Sequence, residues 1–326
     1  MSSLASPELN PAREARQRRA RLNFIDLRAN RAFRWFALIG GIVVFFALIA
    51  IVYQVISGAA SAFDKYGIAF VGHTQWVAEA NLFGAWPFIY GTLVTGIGSV
   101  FLATILGVSI GLFLSLMAPR QVAAVIGPLV EMLAAIPSVV LGLIGIYLIC
   151  PFIKNTLEPA IHSVLGFLPI FATPGAVGNS LFAAILVLTI MVVPIIAALT
   201  RDLFQTVPRE LRDGAEALGA TRWEMIRGVV LPTTQSGILA ACVLGFGRAI
   251  GEAIAVSLVV GGIPSTPTNL FSGGDTIGSI LANEFPSPVS SMNTSALFYL
   301  AGILLILGVG TNLLARRIAA GTGRKR

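Results

Sequence analysis

Six stretches of the chain are almost wholly apolar and long enough to cross about 30 Å of hydrocarbon. They run approximately over residues 35–56, 86–118, 132–153, 179–200, 233–262 and 295–315. None alternates apolar and polar residues with the two-residue period of barrel strands, so each predicts a helix. The second is longer than a bilayer requires and is expected to tilt or to extend beyond it. The polar residues gather between these stretches: a basic segment 1–34, one inner segment 201–232, and a basic tail 316–326. Segments 57–85, 154–178 and 263–294 are rich in Gly, Pro, Ser and Thr. They read as ordered loops able to meet a partner outside the membrane, or as simple linkage between spans.

Composition agrees with the pattern. Hydrophobic residues make up 56% of the 326, charged residues 11%, and the mean hydropathy is +0.86. A soluble domain carries about 25% charged residues, and fewer than half of that cannot cover a water-facing surface. The prediction is an all-α polytopic membrane protein with six transmembrane helices. Ala60-Ser61-Ala62 resembles a processing site, but the apolar core before it, about 21 residues, exceeds the 7–15 of a signal peptide. The first span is therefore expected to be an uncleaved anchor.

The net charge of +7 is concentrated beside the spans. Eight arginines lie between Pro11 and Arg34, Arg120 follows span two, five arginines lie within 201–227, and five basic residues close the chain. The opposite side carries only Lys65 and Lys154. This asymmetry predicts both termini and segment 201–232 on the cytoplasmic side. No aromatic residues are interleaved in a basic patch, so nucleic acid is not an expected partner. Cys150 and Cys242 sit in apolar runs, and His73 and His162 stand far apart. Neither a disulfide framework nor a metal site is expected. None of the lysines completes a phosphate-cradling GxxxxGK[ST] loop, so no nucleotide is expected to bind this chain.

Segment 201–232 balances five arginines with Asp202, Glu210, Asp213, Glu216 and Glu224. Leu211, Ala215 and Leu218, then Trp223, Ile226 and Val230, recur at helical spacing. Gly219 suits the left-handed residue after a helix end, and Thr221 with Glu224 suits a capping box. The spacing predicts helix, turn, helix. The residues Asp213-Gly214-Ala215-Glu216-Ala217-Leu218-Gly219, nine more, and then Val229-Val230-Leu231-Pro232 resemble the EAA loop of importer-type ABC permeases. That motif reads EAA, three residues, Gly, nine residues, Ile-x-Leu-Pro. Asp213-Gly214 departs from Glu-Ala, and Val229 from Ile. The resemblance implies that Asp213, Gly214, Ala215, Leu218, Gly219, Leu231 and Pro232 belong to a surface docking on a separate ATPase. A surface hairpin that needs no partner is the plainer reading.

Span five carries Arg248 and Glu252 in apolar surroundings, where each costs about 2.5–3.5 kcal/mol if it faces lipid. Four residues apart on a helix they share a face, where they either fix packing as an ion pair or line a polar passage. The run Gly247-Arg248-Ala249-Ile250-Gly251-Glu252-Ala253 resembles the GRAxGET segment of phosphate-specific ABC permeases, with Ala253 in place of the threonine. The continuation Ala255-Val256-Ser257-Leu258-Val259-Val260-Gly261-Gly262 is similar to the C-type subunit. So are Pro87-Phe88-Ile89-Tyr90-Gly91-Thr92-Leu93 and Ile136-Pro137-Ser138-Val139-Val140-Leu141-Gly142.

The resemblance covers spans two to five. It implies a type I ABC importer permease fold, with a core over 86–315 preceded by a first helix and outer loop over 35–85. It also implies residence in the bacterial inner membrane, surrounded by lipid. The partners it implies are an A-type permease subunit, a homodimeric ABC ATPase holding ATP-Mg, and an extracytoplasmic phosphate-binding protein. Phosphate is the implied substrate and the chain itself is not an enzyme. Arg248 and Glu252 are expected on the substrate path. Ser138 is either a donor to that path or an ordinary packing serine. Glu131 is expected to snorkel or to pair with a basic neighbour rather than to act in transport. Permeases for sulfate or molybdate, an ATP-independent channel and a membrane-embedded lipid-phosphate enzyme are the alternatives.

Overall fold

The computed structural model describes residues 11–175 and 177–323. Six helical stretches in it are long and apolar enough to span a membrane: Phe33–Val71, Trp86–Met117, Ser138–Leu165, Leu181–Gln205, Arg222–Gly251 and Ser291–Leu314. The chain divides into two units, 1–55 and 56–326. The described part of the first belongs to helix α1 (Pro11–Tyr66). Phe36, Phe46 and Tyr53 are among the many large side chains exposed along it. A helix apolar on every side and uncovered by protein is suited to hydrocarbon.

The second unit continues through α2 (Trp86–Leu112), α3 (Arg120–Ala134), α4 (Ser138–Ile144), α5 (Cys150–Phe152) and α6 (Glu158–Leu165). It goes on through α7 (Leu181–Gln205), α8 (Arg209–Ala217), α9 (Arg222–Met225) and α10 (Leu231–Gly251). Helices α11 (Ile254–Val259), α12 (Ile277–Glu284) and α13 (Ser291–Gly323) complete it. Single π-helical turns join α4 to α5, α5 to α6, and α9 to α10, and another, Phe113–Met117, ends span two. Pro151, Pro159 and Pro232 each directly follow such a junction, as expected where a missing N–H interrupts the regular helical ladder.

Helix α7 is the axis of this unit, and Ala184, Leu188, Val192 and Ile196 are fully or almost fully buried along it. Apolar burial gives helices no special attraction inside lipid, so close van der Waals contact must hold them. Glycines of α2 provide it. A Cβ on Gly107 would stand 2.9 Å from Ile196 Cβ, and one on Gly111 2.3 Å from Thr200 Oγ1. Ser180 caps α7, accepting from the Ala183 amide at 3.2 Å.

Three spans differ from the hydropathy reading: the first runs on to Val71 rather than ending near 56, and the third to Leu165 rather than 153. Span three begins at Ser138 rather than near 132, and α3 is a separate helix. Pro137 disfavours helical backbone at Ile136 and itself takes an extended ψ of 134°, so the apolar run is cut there. Span five begins at Arg222, because α9 runs through its π-turn into α10. It ends at Gly251 rather than at 262: Glu252 is extended, with φ −77° and ψ 123°.

After the break, α11 and residues 260–276 are stitched to the start of α7. The Ser180 amide donates to Val259 O, that of Leu181 to Ser272 O, and that of Phe182 to Leu270 O. Asn179 Nδ2 donates to Leu258 O at 3.0 Å. Irregular backbone at such a place requires partners of this kind. A second core, with Phe70, Trp76, Phe83, Phe88, Leu297 and Leu300, holds the segment after α1 against α12 and α13. There Phe70 stacks on Tyr299 with centroids 4.4 Å apart. Trp76 Nε1 and Asn293 Nδ2 both donate to the Glu284 carboxylate, at 3.1 and 3.0 Å.

Candidate functional site

The break in span five opens a cleft of about 530 Å³ among α7, α10 and α13. Arg248, in the last turn of α10, and Glu252, just beyond it, both line the cleft. Arg248 is exposed and Glu252 half-buried. The expected shared helical face is not what joins them, because the helix stops between the two. Nor are they an ion pair, since among the described residues only Arg201 makes one. The guanidinium keeps its donors free, at a helix C-terminus that favours positive charge.

Gly247 and Gly251 leave the floor of the cleft open, and a Cβ on either would meet nothing within 4 Å. Asn312 of α13 lines the same cleft, with Nδ2 donating to Gly308 O at 3.1 Å. The sequence reading did not single it out, although an amide within an apolar helix was the available signal. Ser138 is half-buried in the first turn of α4 and does not line this cleft. The arrangement could hold a small anion: it has one unpaired planar cation and an amide, with one carboxylate beside them.

On the other side of the membrane-crossing helices, α8 and α9 form the helix, turn, helix expected from spacing. Gly219 has φ +88°, the left-handed conformation in which its lack of Cβ matters. Thr221 completes a capping box: its Oγ1 accepts from the Glu224 amide at 3.4 Å, and Glu224 Oε2 accepts from the Thr221 amide at 2.8 Å. Asp213 and Gly214 are exposed. Leu231 and Pro232 form the first turn of α10.

Ala215 and Leu218 differ in burial. Ala215 packs on the cluster of Phe204, Val207, Met225, Ile226 and Val230, whereas Leu218 is 91% exposed. Leu211 and Trp223 are exposed as well, at 51% and 63%. Three large apolar side chains are thus exposed on a mostly polar hairpin. Glu131 takes the pairing role. Its Oε1 lies 2.7 Å from Arg201 Nη2, in space left by Gly127, whose Cβ would come within 2.7 Å of Arg201 Nη1.

Residues 103–322 match the family described as "Binding-protein-dependent transport system inner membrane component". The chain belongs to that family. It is a multi-pass inner membrane protein, and its family is one of translocation subunits. It is 36% identical to the phosphate transport system permease protein PstC of Pasteurella multocida over 319 residues, covering 96% of this chain and 98% of that one. It is 35% identical to the PstC of Mesorhizobium japonicum over 331 residues, covering 98% of each.

Among solved structures, the fold is similar to a chain of a bacterial alginate ABC transporter in complex with a pentasaccharide-bound periplasmic protein. The TM-score is 0.57 at 17% identity, over 89% of this chain and 96% of that one. A chain of the inward-facing MetNI methionine ABC transporter gives a TM-score of 0.51 at 19% identity, over 71% and 93%. At these identities the likeness concerns the fold, which is that of an ABC importer permease.

Proposed function

We infer that the chain is the transmembrane permease subunit of an ATP-driven phosphate importer. The observation that carries the reading is the unpaired guanidinium of Arg248 at a helix break inside an apolar span. It occurs in a chain whose near full-length relatives are phosphate transport permeases. A planar guanidinium fork matches two phosphate oxygens at once. Glu252, in the same cleft but not engaged with Arg248, competes with the anion and so keeps binding weak enough for release. Asn312 adds an amide to the lining. Ser138 is retained as a weaker contributor of a hydroxyl.

The face bearing Arg248 is exposed in the single chain, which supports a heterodimer with a related A-type permease subunit closing the path. ATP with Mg would be held by a homodimeric ABC ATPase bound to the α8–α9 hairpin on the cytoplasmic side. An extracytoplasmic phosphate-binding protein would deliver the substrate to the opposite face. Hydrolysis moves the hairpin. Because α9 is continuous with α10, that movement reaches Arg248 through one rod.

The test is ATP-dependent phosphate uptake by the complete complex in proteoliposomes. Arg248→Ala removes a charged hydrogen-bonding partner, a loss of about 1.5–3 kcal/mol, or roughly 10- to 150-fold in uptake. Assembly should be unchanged. Undiminished uptake would refute the assignment, and suppression by excess sulfate or molybdate would redirect it to another oxyanion.

A further inference from the structure

We propose that the α8–α9 hairpin carries a second anion site, one that takes a phosphate group and is separate from the path at Arg248. A pocket of about 370 Å³ lies between the π-helical end of span two and the hairpin, and Arg209, Arg212 and Arg222 all line it. Asp213 and Glu216 line it too, yet none of the arginines is paired with them. Among the described residues only Arg201 makes an ion pair. Arg209 with Asp213, and Arg212 with Glu216, are four residues apart on α8, where pairing is sterically available. Their order, base before acid, is the weaker one on a helix.

Instead, Arg212 Nε is buried without a hydrogen-bond partner. A buried unsatisfied donor is costly, and an oxygen placed in the pocket would satisfy it. Three arginines against two carboxylates leave an excess of positive charge, and a guanidinium fork can hold a phosphate bidentately.

Leu116, Met225 and Ile226 add apolar lining to the pocket, which lies where span two ends. A phospholipid headgroup with the first carbons of its chains would use both the arginines and the apolar lining, and inorganic phosphate only the arginines. The phosphate group is common to both. Once bound, it ties the end of span two to the hairpin that we assign to ATPase coupling. The site does not depend on which substrate is transported.

The experiment uses the permease pair with its ATPase, without the phosphate-binding protein, carrying Arg248→Ala, which removes the charge at the path. Native mass spectrometry after exchange into phosphatidylglycerol or phosphatidylcholine is one arm. Titration with inorganic phosphate is the other. Loss of bound phosphatidylglycerol, or a drop of about tenfold or more in phosphate affinity, is expected on adding Arg209→Gln and Arg212→Gln. The first result identifies a lipid site and the second a soluble-anion site.

Leu218→Asp, at an exposed apolar position, should release the ATPase and leave anion binding intact. Unchanged lipid retention and phosphate affinity in the arginine variant would overturn the proposal. So would an arginine variant that behaves as Leu218→Asp does, which would make these arginines part of the docking surface. If the double variant does not assemble, Arg222→Gln is read by the same two arms.

Discussion

Asp275 is a carboxyl group placed where ionisation is costly. It lies outside the spans, just before α12, and is 2% exposed. Burial pushes its pKa from 3.8 up to about 6, with donation from the Ser279 hydroxyl and the Thr276 amide opposing the rise and Glu284 adding repulsion. The sign follows from which state holds the proton. Below about 4 both states are protonated. Between about 4 and 6 the folded state keeps a proton that the unfolded chain has released, so stability declines as pH rises through this window. Above it, a contribution on the order of 2–3 kcal/mol is gone. Amides 277–281 should therefore be better protected from deuterium exchange at pH 5 than at pH 7, after correction for intrinsic rates. Asp275→Asn should flatten the dependence, and an equally steep profile in that variant would assign it to another group. Local devices such as Gly219 and the Thr221–Glu224 box are legible in sequence because they involve neighbours three or four residues apart. The buried state of Asp275 depends on what packs over it, and no local pattern carries that.

Among the elements, span five departs furthest from hydropathy. Its apolar run continues to Gly262, yet the helix stops at Gly251. The reason is partly distant. Helix α12 packs against the break, and a Cβ on Gly278 would stand 2.7 Å from Glu252 O and 3.2 Å from Ala253 Cα. Gly278 thus permits the contact that holds the extended backbone. Gly278→Val should displace Glu252 and reduce phosphate uptake several-fold or more while the complex still inserts. Gly310→Ala, where an added Cβ meets nothing within 4 Å, should leave uptake near the parent level. Equal uptake in the two variants would show that α12 does not position the break. The hairpin is the contrasting case: its two helices, turn and cap follow from spacing alone, whereas the inward position of Ala215 required the cluster beneath it.

For the whole molecule, the basic residues predict an orientation that cysteine labelling can read. Cys150 is buried and Cys242 half-buried, so background labelling should be low. His73 and Thr206 are exposed. On intact spheroplasts a membrane-impermeant maleimide should modify His73→Cys at once and Thr206→Cys only after permeabilisation. The opposite order would invert the topology, and with it the side assigned to the ATPase. The long exposed apolar faces, including that of 33–53, also have meaning only at this scale. They are lipid-facing or partner-facing surfaces, not an unfinished core.

The sequence by itself determined the number and helical nature of the spans, because crossing hydrocarbon demands about twenty apolar residues whatever the neighbours are. It also carried the α8–α9 hairpin, through short-range caps and a spaced motif. Tertiary structure decided where spans three and five begin or end. It left Arg248 and Glu252 unpaired in one cleft, brought Asn312 to join them, and gave Glu131 to Arg201. Each of these depends on residues far apart in the chain meeting through glycine gaps and backbone hydrogen bonds, and the period of an apolar run holds no information about those meetings.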